Sequence, residues 1–184
     1  MKALILRHAQ SMGQKADAAL TARGATQAEA LVPVLADLGA GPLHASPMRR
    51  ALDTIAPFAA ASDQAVSVID DLRERRVVPM DDANWRAHFR RCFDEPDFAA
   101  PGGESTTALR ARLAGALAEI EAAGGSLPCI VSHGGAIAAL FSACDPAFGY
   151  EDWQALRYPD LFEVTLADGR ITSFARIDLP LRDA

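Results

Sequence analysis

At 184 residues the chain is long enough to bury a core, and its length predicts a single domain, residues 1–184. Half of its residues are hydrophobic and 23% are charged, a balance that excludes a disordered composition. The formal net charge of -6 argues against gripping nucleic acid through overall basicity, and no apolar run approaches the ~18 residues of a membrane span.

Short apolar runs alternate with helical stretches, the pattern of an α/β layer fold. ALILRH is the first strand, continuously apolar like a strand covered on both faces. LTARGATQAEALVPVLADLG reads as a helix with Thr21 as N-cap, a buried stripe of Ala28, Leu31, Leu35 and Leu38, and Gly39 as its stop. Pro33 inside it predicts a kink. LHAS is a second strand. SPMRRALDTIAPFAA follows as a helix, with Ser46 as N-cap and Pro47 at its first position. AVSVID is the third strand. The segment from Asp71 to Gly103 is mixed, with a helix whose Trp85, Phe89 and Phe93 are spaced for packing rather than for a substrate platform. Ser105 caps a helix through Ala123, striped by Leu109, Leu113, Leu117 and Ile120. LPCIVSH is the fourth strand and GGAIAALFSA the helix after it. DLFEVTLADGRITSFARID gives two strands joined at Asp168-Gly169, a hairpin signal.

Cys92, Cys129 and Cys144 show no CxxC spacing and read as reduced thiols. The apolar run before Arg7 is too short for a signal peptide. A cytoplasmic protein with no membrane partner is the expectation.

Two strands end alike, LILRH at His8 and CIVSH at His133. The carboxyl ends of parallel strands line the crevice where an α/β sheet binds ligands. Each histidine alone reads equally well as a strand-end residue bonded to backbone; together with their neighbours they outline an anion site. His133 precedes Gly134-Gly135 and a helix, whose N-terminal amides and dipole suit phosphate. Arg7 offers a fork of donors, and Arg49 and Arg50 lie in the first turn of the Ser46-Pro47 helix. Periodicity leaves open which of those two turns inward. No carboxylate cluster suited to magnesium and no HxH or HExxH spacing suited to zinc occurs, so neither a metal nor a cofactor is expected. A histidine nucleophile with an arginine clamp can transfer a phosphoryl group without either.

In order, RHAQS, LTARGATQA, SPMRRALDT, LRE and VSHGG resemble the motifs of the histidine phosphatase superfamily, also called phosphoglycerate mutase-like, from residue 3 to about residue 140. The resemblance implies a three-layer α/β sandwich, its mostly parallel central sheet flanked by helices, with a substrate-facing insertion at about 75–103. It implies His8 as the phosphorylated nucleophile and Arg7 as its phosphate-binding neighbour. The arginine before the alanine of RAxxT selects Arg50 over Arg49. His133 is implied as the second histidine on the phosphoryl group, with the Gly134 amide beside it, and Glu74 as proton donor to the leaving oxygen. Ala9 stands where the family usually has glycine, and Gly13-Gln14 where many members have Trp-Asn, so Gln14 is the candidate replacement for the asparagine amide. The Ser11 to Leu20 loop is short.

The resulting expectation is hydrolysis of a small phosphorylated metabolite through a phosphohistidine. A phosphoglycerate mutase would carry Arg-His-Tyr-Gly after the glutamate, where this chain reads ERRVV. Phosphohistidine protein phosphatases generally lack the acid that Glu74 supplies, and a non-catalytic relative would be expected to lose His8, Arg50 or His133. Glu104 rivals Glu74 but sits where an acid favours a helix dipole. Asp81 and Asp82 read as loop surface, His44 and His88 as structural, and the six arginines between Arg73 and Arg91 as a solvated face. Oligomeric state is open.

Overall fold

The computed structural model describes residues 1–76 and 84–180. The calls on Asp81 and Asp82 lie outside the described residues. The described chain forms β1 (Lys2–Arg7), α1 (Ala22–Asp37), β2 (Leu43–Ala45), α2 (Arg49–Ser62), β3 (Val66–Val68), a 3-10 turn (Asp70–Leu72), α3 (Trp85–Asp94), α4 (Thr106–Ala123), β4 (Cys129–Ser132), α5 (Gly134–Cys144), α6 (Tyr150–Gln154), β5 (Asp160–Ala167) and β6 (Arg170–Ile177).

The six strands form one sheet in the order β3-β2-β4-β1-β5-β6. The pairs β3·β2, β2·β4 and β4·β1 are parallel, and β5 pairs antiparallel with both β1 and β6. This is the expected mostly parallel α/β sandwich. One apolar cluster, including Leu109, Leu113, Ile137 and Phe141, packs α4 and α5 on one face. The other, including Leu31, Leu35, Ile55 and Phe58, packs α1 and α2 on the opposite face. The residues of β1 alternate between the two, Ala3 and Ile5 against Leu4 and Leu6, and so must be apolar throughout.

The local signals act as expected at most ends. The Thr21 and Ser105 side chains accept from the backbone N–H groups of Gly24 and Ala108. Asp168 and Gly169 both adopt positive φ, 52° and 69°, as the tight β5–β6 turn requires. Leu38 departs from the stripe. It is the C-cap residue of α1, one residue past the helix, and is 36% exposed. Ser46 also departs: α2 begins at Arg49 with Met48 as its N-cap residue, and Ser46 is left free for another partner. All three cysteines are free thiols, and among the described residues no helix is long and apolar enough to cross a membrane.

Candidate active site

Strand register builds the site. Arg7 of β1 pairs with Ser132 of β4, and Ala45 of β2 with Val131, so the residues that follow the three strands emerge at one sheet edge, those of β1 and β4 level with each other and that of β2 one residue behind. Those residues are His8, His133 and Ser46. The amides of His8 and Ser46 donate to the carbonyls of Ser132 and Val131, which carries the ladder one step beyond the strands. The His8 and His133 rings lie 5.1 Å apart, and both are buried.

His8 is held in one tautomer. Its Nδ1–H donates to the Ala9 carbonyl at 2.7 Å, and its Nε2 accepts from Arg50 Nε–H at 3.1 Å. Burial pushes the His8 imidazole down to about 3, against the upward pull of the Ala9 carbonyl and with further lowering by Arg50 and Arg7. The ring is therefore neutral, with its lone pair on Nε2. Ala9, in the place of the family's glycine, fits fully buried, its amide donating to Thr54 Oγ1.

Arg50 has no exposed surface, whereas Arg49 is exposed and paired with Asp53. Besides His8, the Arg50 guanidinium donates to the carbonyls of Gln14 and Lys15 and contacts Met48 Sδ. The short loop thus folds its carbonyls onto Arg50, and Gln14 lines the cavity while serving Arg50 through its backbone. Arg7 donates to the Leu156 carbonyl and stacks its guanidinium 3.6 Å from the Tyr158 ring centroid, while its buried Nε has no acceptor. Among the described residues neither Arg7 nor Arg50 is in an ion pair. Burial is the largest influence on both and lowers their pKa, while Glu74 and Tyr158 act in the opposite direction.

His133 bonds through Nε2 to Ser46 Oγ at 2.7 Å, and its buried Nδ1 is unpartnered. Its pKa lies well below the ordinary value, from burial first and then from His8, Arg50 and Arg7. Ser46 Oγ also accepts from the Met48 amide, so the hydroxyl that reads as a helix cap instead ties the start of α2 to the second histidine.

The N-terminus of α5 is already engaged by a carboxylate. Glu74 Oε1 accepts from the amides of Arg75 at 2.7 Å and Ala136 at 3.0 Å, and Oε2 accepts from Gly135 at 3.1 Å. The two glycines make this approach possible. A Cβ on Gly135 would stand 2.7 Å from Glu74 Oε1, and one on Gly134 would stand 3.0 Å from the Arg7 guanidinium carbon. Glu104 stands apart from the cavity. It forms a two-toothed pair with Arg112, whose remaining N–H groups reach the carbonyls of Asp71, Arg73 and Glu74.

A cavity of about 400 Å³ opens at these groups, its lining including Arg7, His8, Gln14 and Glu74 together with Met48, Trp85, Phe89, Trp153 and Tyr158. Arg50 and His133, both in contact with His8, are not part of that lining. Trp85 and Phe89, read as packing, belong to the cavity wall; Phe93 packs on Phe89 and Tyr150 away from it. Tyr158 and Trp153 come from the tail, beyond the recognised motifs, and no signal in the sequence marked them. His44 is buried on β2 with neither ring nitrogen bonded, and the His88 ring lies 6.1 Å from Phe98. Among the described residues, no three His, Cys, Asp or Glu side chains converge as a metal-ion cluster.

Comparison with known proteins places this arrangement. The model of the histidine phosphatase superfamily (branch 1) matches residues 3–170. The uncharacterized protein Rv0525 of Mycobacterium tuberculosis (strain ATCC 25618 / H37Rv) is 38% identical over 123 residues, covering 62% of this chain and 60% of that relative. The match therefore spans about three fifths of the relative's length. Among solved structures, the mycobacterial glucosyl-3-phosphoglycerate phosphatase Rv2419c in complex with VO3 superposes with a TM-score of 0.72 at 26% identity, covering 95% of this chain and 96% of that one. The alpha-ribazole phosphatase from Shigella flexneri gives 0.71 at 21%, with 94% of each chain covered, a likeness of fold. With that family model matching nearly its whole length, and His8 and His133 delivered to one sheet edge, the chain belongs to the histidine phosphatase superfamily, branch 1.

Proposed function

We propose that the chain hydrolyses a small phosphomonoester through a phosphohistidine on His8, without a metal ion. The observation that carries this reading is the buried, unpaired positive charge of Arg7 and Arg50 on either side of a neutral imidazole. Buried charges without a counter-ion are costly, and a phosphoryl dianion supplies one to both.

The substrate phosphoryl group enters between Arg7, whose Nε lacks an acceptor, and His8. The Arg50 Nε–H that covers the His8 lone pair in the free protein shifts to a phosphoryl oxygen and uncovers the nucleophile. His8 Nε2 then forms a bond to phosphorus as the phosphorus–oxygen ester bond breaks. Positive charge growing on the ring is shared with the Ala9 carbonyl through Nδ1–H. The departing oxygen takes its electron pair and a proton from Glu74. Oε1 already accepts two amides and Oε2 only one, so Oε2 has the open lone pair for that proton. In the second half, water attacks phosphorus, the nitrogen–phosphorus bond breaks, its electrons return to Nε2, and Glu74 takes a proton from the water. His133, oriented by Ser46, presents Nδ1 as the remaining partner for the transferred group.

The test is hydrolysis of an aryl phosphate in excess EDTA by wild type and His8→Ala, with a search for acid-labile, base-stable label on the protein. Activity that survives EDTA, labels histidine and disappears with His8 supports the reading. Activity that EDTA abolishes, or that survives loss of His8, refutes it.

A further inference from the structure

Building on the phosphatase reading above, we infer that the substrate is a phosphomonoester whose alcohol carries a flat aromatic or heteroaromatic ring, and that Trp153, Phe89 and Trp85 form the platform for that ring. Part of the cavity lining is apolar and aromatic. Trp153 of α6 packs on Phe89 of α3 with ring centroids 4.3 Å apart, and Trp85 meets Trp153 edge-on at 6.5 Å. Phe89 is buried beneath, while both tryptophans keep part of their surface open to the cavity. Locked against one another, these rings lose little freedom when a ligand ring stacks on them.

The inventory of charge points the same way. Three further arginines border the cavity, which by number alone favours a polyanion. Two are engaged elsewhere. Arg73 bonds Asp70 and lies 3.6 Å from Asp71. Arg75 is buried, donates to Thr106 Oγ1 at 2.7 Å and holds its guanidinium 5.5 Å from the Phe89 ring, while its buried Nε has no acceptor. Only Arg76 stands exposed at the mouth, where water and salt screen its field. Beyond the phosphoryl group itself, the wall offers the aromatic rings as its apolar surface, and Arg75 Nε and the exposed Arg76 as the donors a second anionic group would have to reach. A cavity of about 400 Å³ has room for the phosphoryl group and a ring together.

The protein contains two tryptophans and both line this cavity, so intrinsic fluorescence reports on the site directly. The experiment titrates the wild-type protein with benzylphosphonate, methylphosphonate and phosphonoacetate, all resistant to hydrolysis, by fluorescence and by calorimetry. Benzylphosphonate is expected to bind at least about tenfold more tightly than methylphosphonate, the size of one base-like stacking contact. Trp153→Ala, and separately Trp85→Ala, are expected to erase most of that ratio. Equal affinities, tighter binding of phosphonoacetate, or binding of none of the three overturns the inference. Benzyl phosphate turnover and histidine labelling are followed in parallel. A ring preference without turnover or label removes the phosphatase reading and leaves the platform. Turnover and label without a ring preference remove the platform and leave the phosphatase.

Discussion

The Glu104–Arg112 pair supports a demanding test, because the structure gives it one task, holding the segment that carries Glu74. Both side chains are largely buried, 14% and 10% exposed, and joined at 2.7 and 2.8 Å. Arg112 spends its other N–H groups on the carbonyls of Asp71 at 2.6 Å, Arg73 at 3.0 Å and Glu74 at 3.3 Å. Burial alone would raise the Glu104 pKa, yet the value lies below the ordinary one because bonding and charge from Arg112 together outweigh burial. Arg112→Met removes the cation, leaves Glu104 charged and unpaired, and strips a donor from each of three carbonyls. Breaking a buried pair from one side costs about 3–5 kcal/mol, and protonation of Glu104 relieves part of this, so ~3 kcal/mol is expected. For a chain of this size that is a fall in Tm of about 6–12 °C, read by thermal unfolding. Loosening Glu74 by an ångström lowers kcat by up to about a hundredfold. The loss falls harder on an alkyl phosphate, whose leaving oxygen needs the proton, than on a nitrophenyl phosphate. A variant within about 2 °C of wild type, or one that loses both substrates equally, would refute the assignment of Arg112 as the residue positioning Glu74.

Three further outcomes follow from the same geometry. Glu74→Gln is expected to lower kcat on alkyl phosphates by ~10²–10⁴ while retaining more of the nitrophenyl phosphate activity, and an equal loss on both would contradict the proton-donor role. Gly135→Ala places a Cβ 2.7 Å from Glu74 Oε1, so activity is expected to fall with Glu74 displaced, while urea unfolding changes by no more than about 1 kcal/mol because the helix itself tolerates alanine. Wild-type-like kcat would show that the carboxylate need not rest on the α5 amides. His8, neutral when folded down to about 3, makes stability depend on pH. Below its unfolded pKa of about 6.5 the unfolded chain takes up a proton that the folded chain refuses, so this contribution is complete above that pH and is lost as pH falls toward the folded value. Between pH 6.5 and 5 it amounts to about 2 kcal/mol, and His8→Ala is expected to flatten the stability–pH curve there by that amount in urea titrations.

Much of the site was legible because it is built from ends of continuous segments. An apolar run that stops at Arg7-His8, and another that stops at His133, announce two side chains delivered to one sheet edge, and parallel register does the rest. Arg50 over Arg49 was beyond periodicity and came from the motif; the structure gives its physical reason, full burial against exposure with an Asp53 partner. Glu74 over Glu104 was likewise a matter of motif; the structure pairs Glu104 with Arg112 and puts Glu74, not Glu104, in the cavity lining. Ser46 was misread because Ser-Pro is a strong local signal for a helix start, whereas its actual bond to His133 depends on β2 lying beside β4, a contact 87 residues apart in the chain. Trp153 and Tyr158 were invisible for the same reason. Aromatic residues in a tail look like core until the fold sets Tyr158 against Arg7 and Trp153 against Phe89.

The division has a consequence for how such a site can diversify. The clamp is made of strand ends and buried hydrogen bonds, and changing any member leaves a buried charge or donor unsatisfied. The proposed ring platform is made of the half-buried Trp85 and Trp153 over the buried Phe89, on α3 and α6, which are tied to each other by contacts such as Arg90–Glu151 and by ring packing. Exchanging Trp85 or Trp153 for another large apolar group alters the shape of the cavity and leaves no polar group of the clamp without its partner. On the proposed reading, chemistry is held by the part of the chain that tolerates little change, and substrate choice by the part that tolerates much, so the first can be read from order and spacing and the second only from the assembled fold.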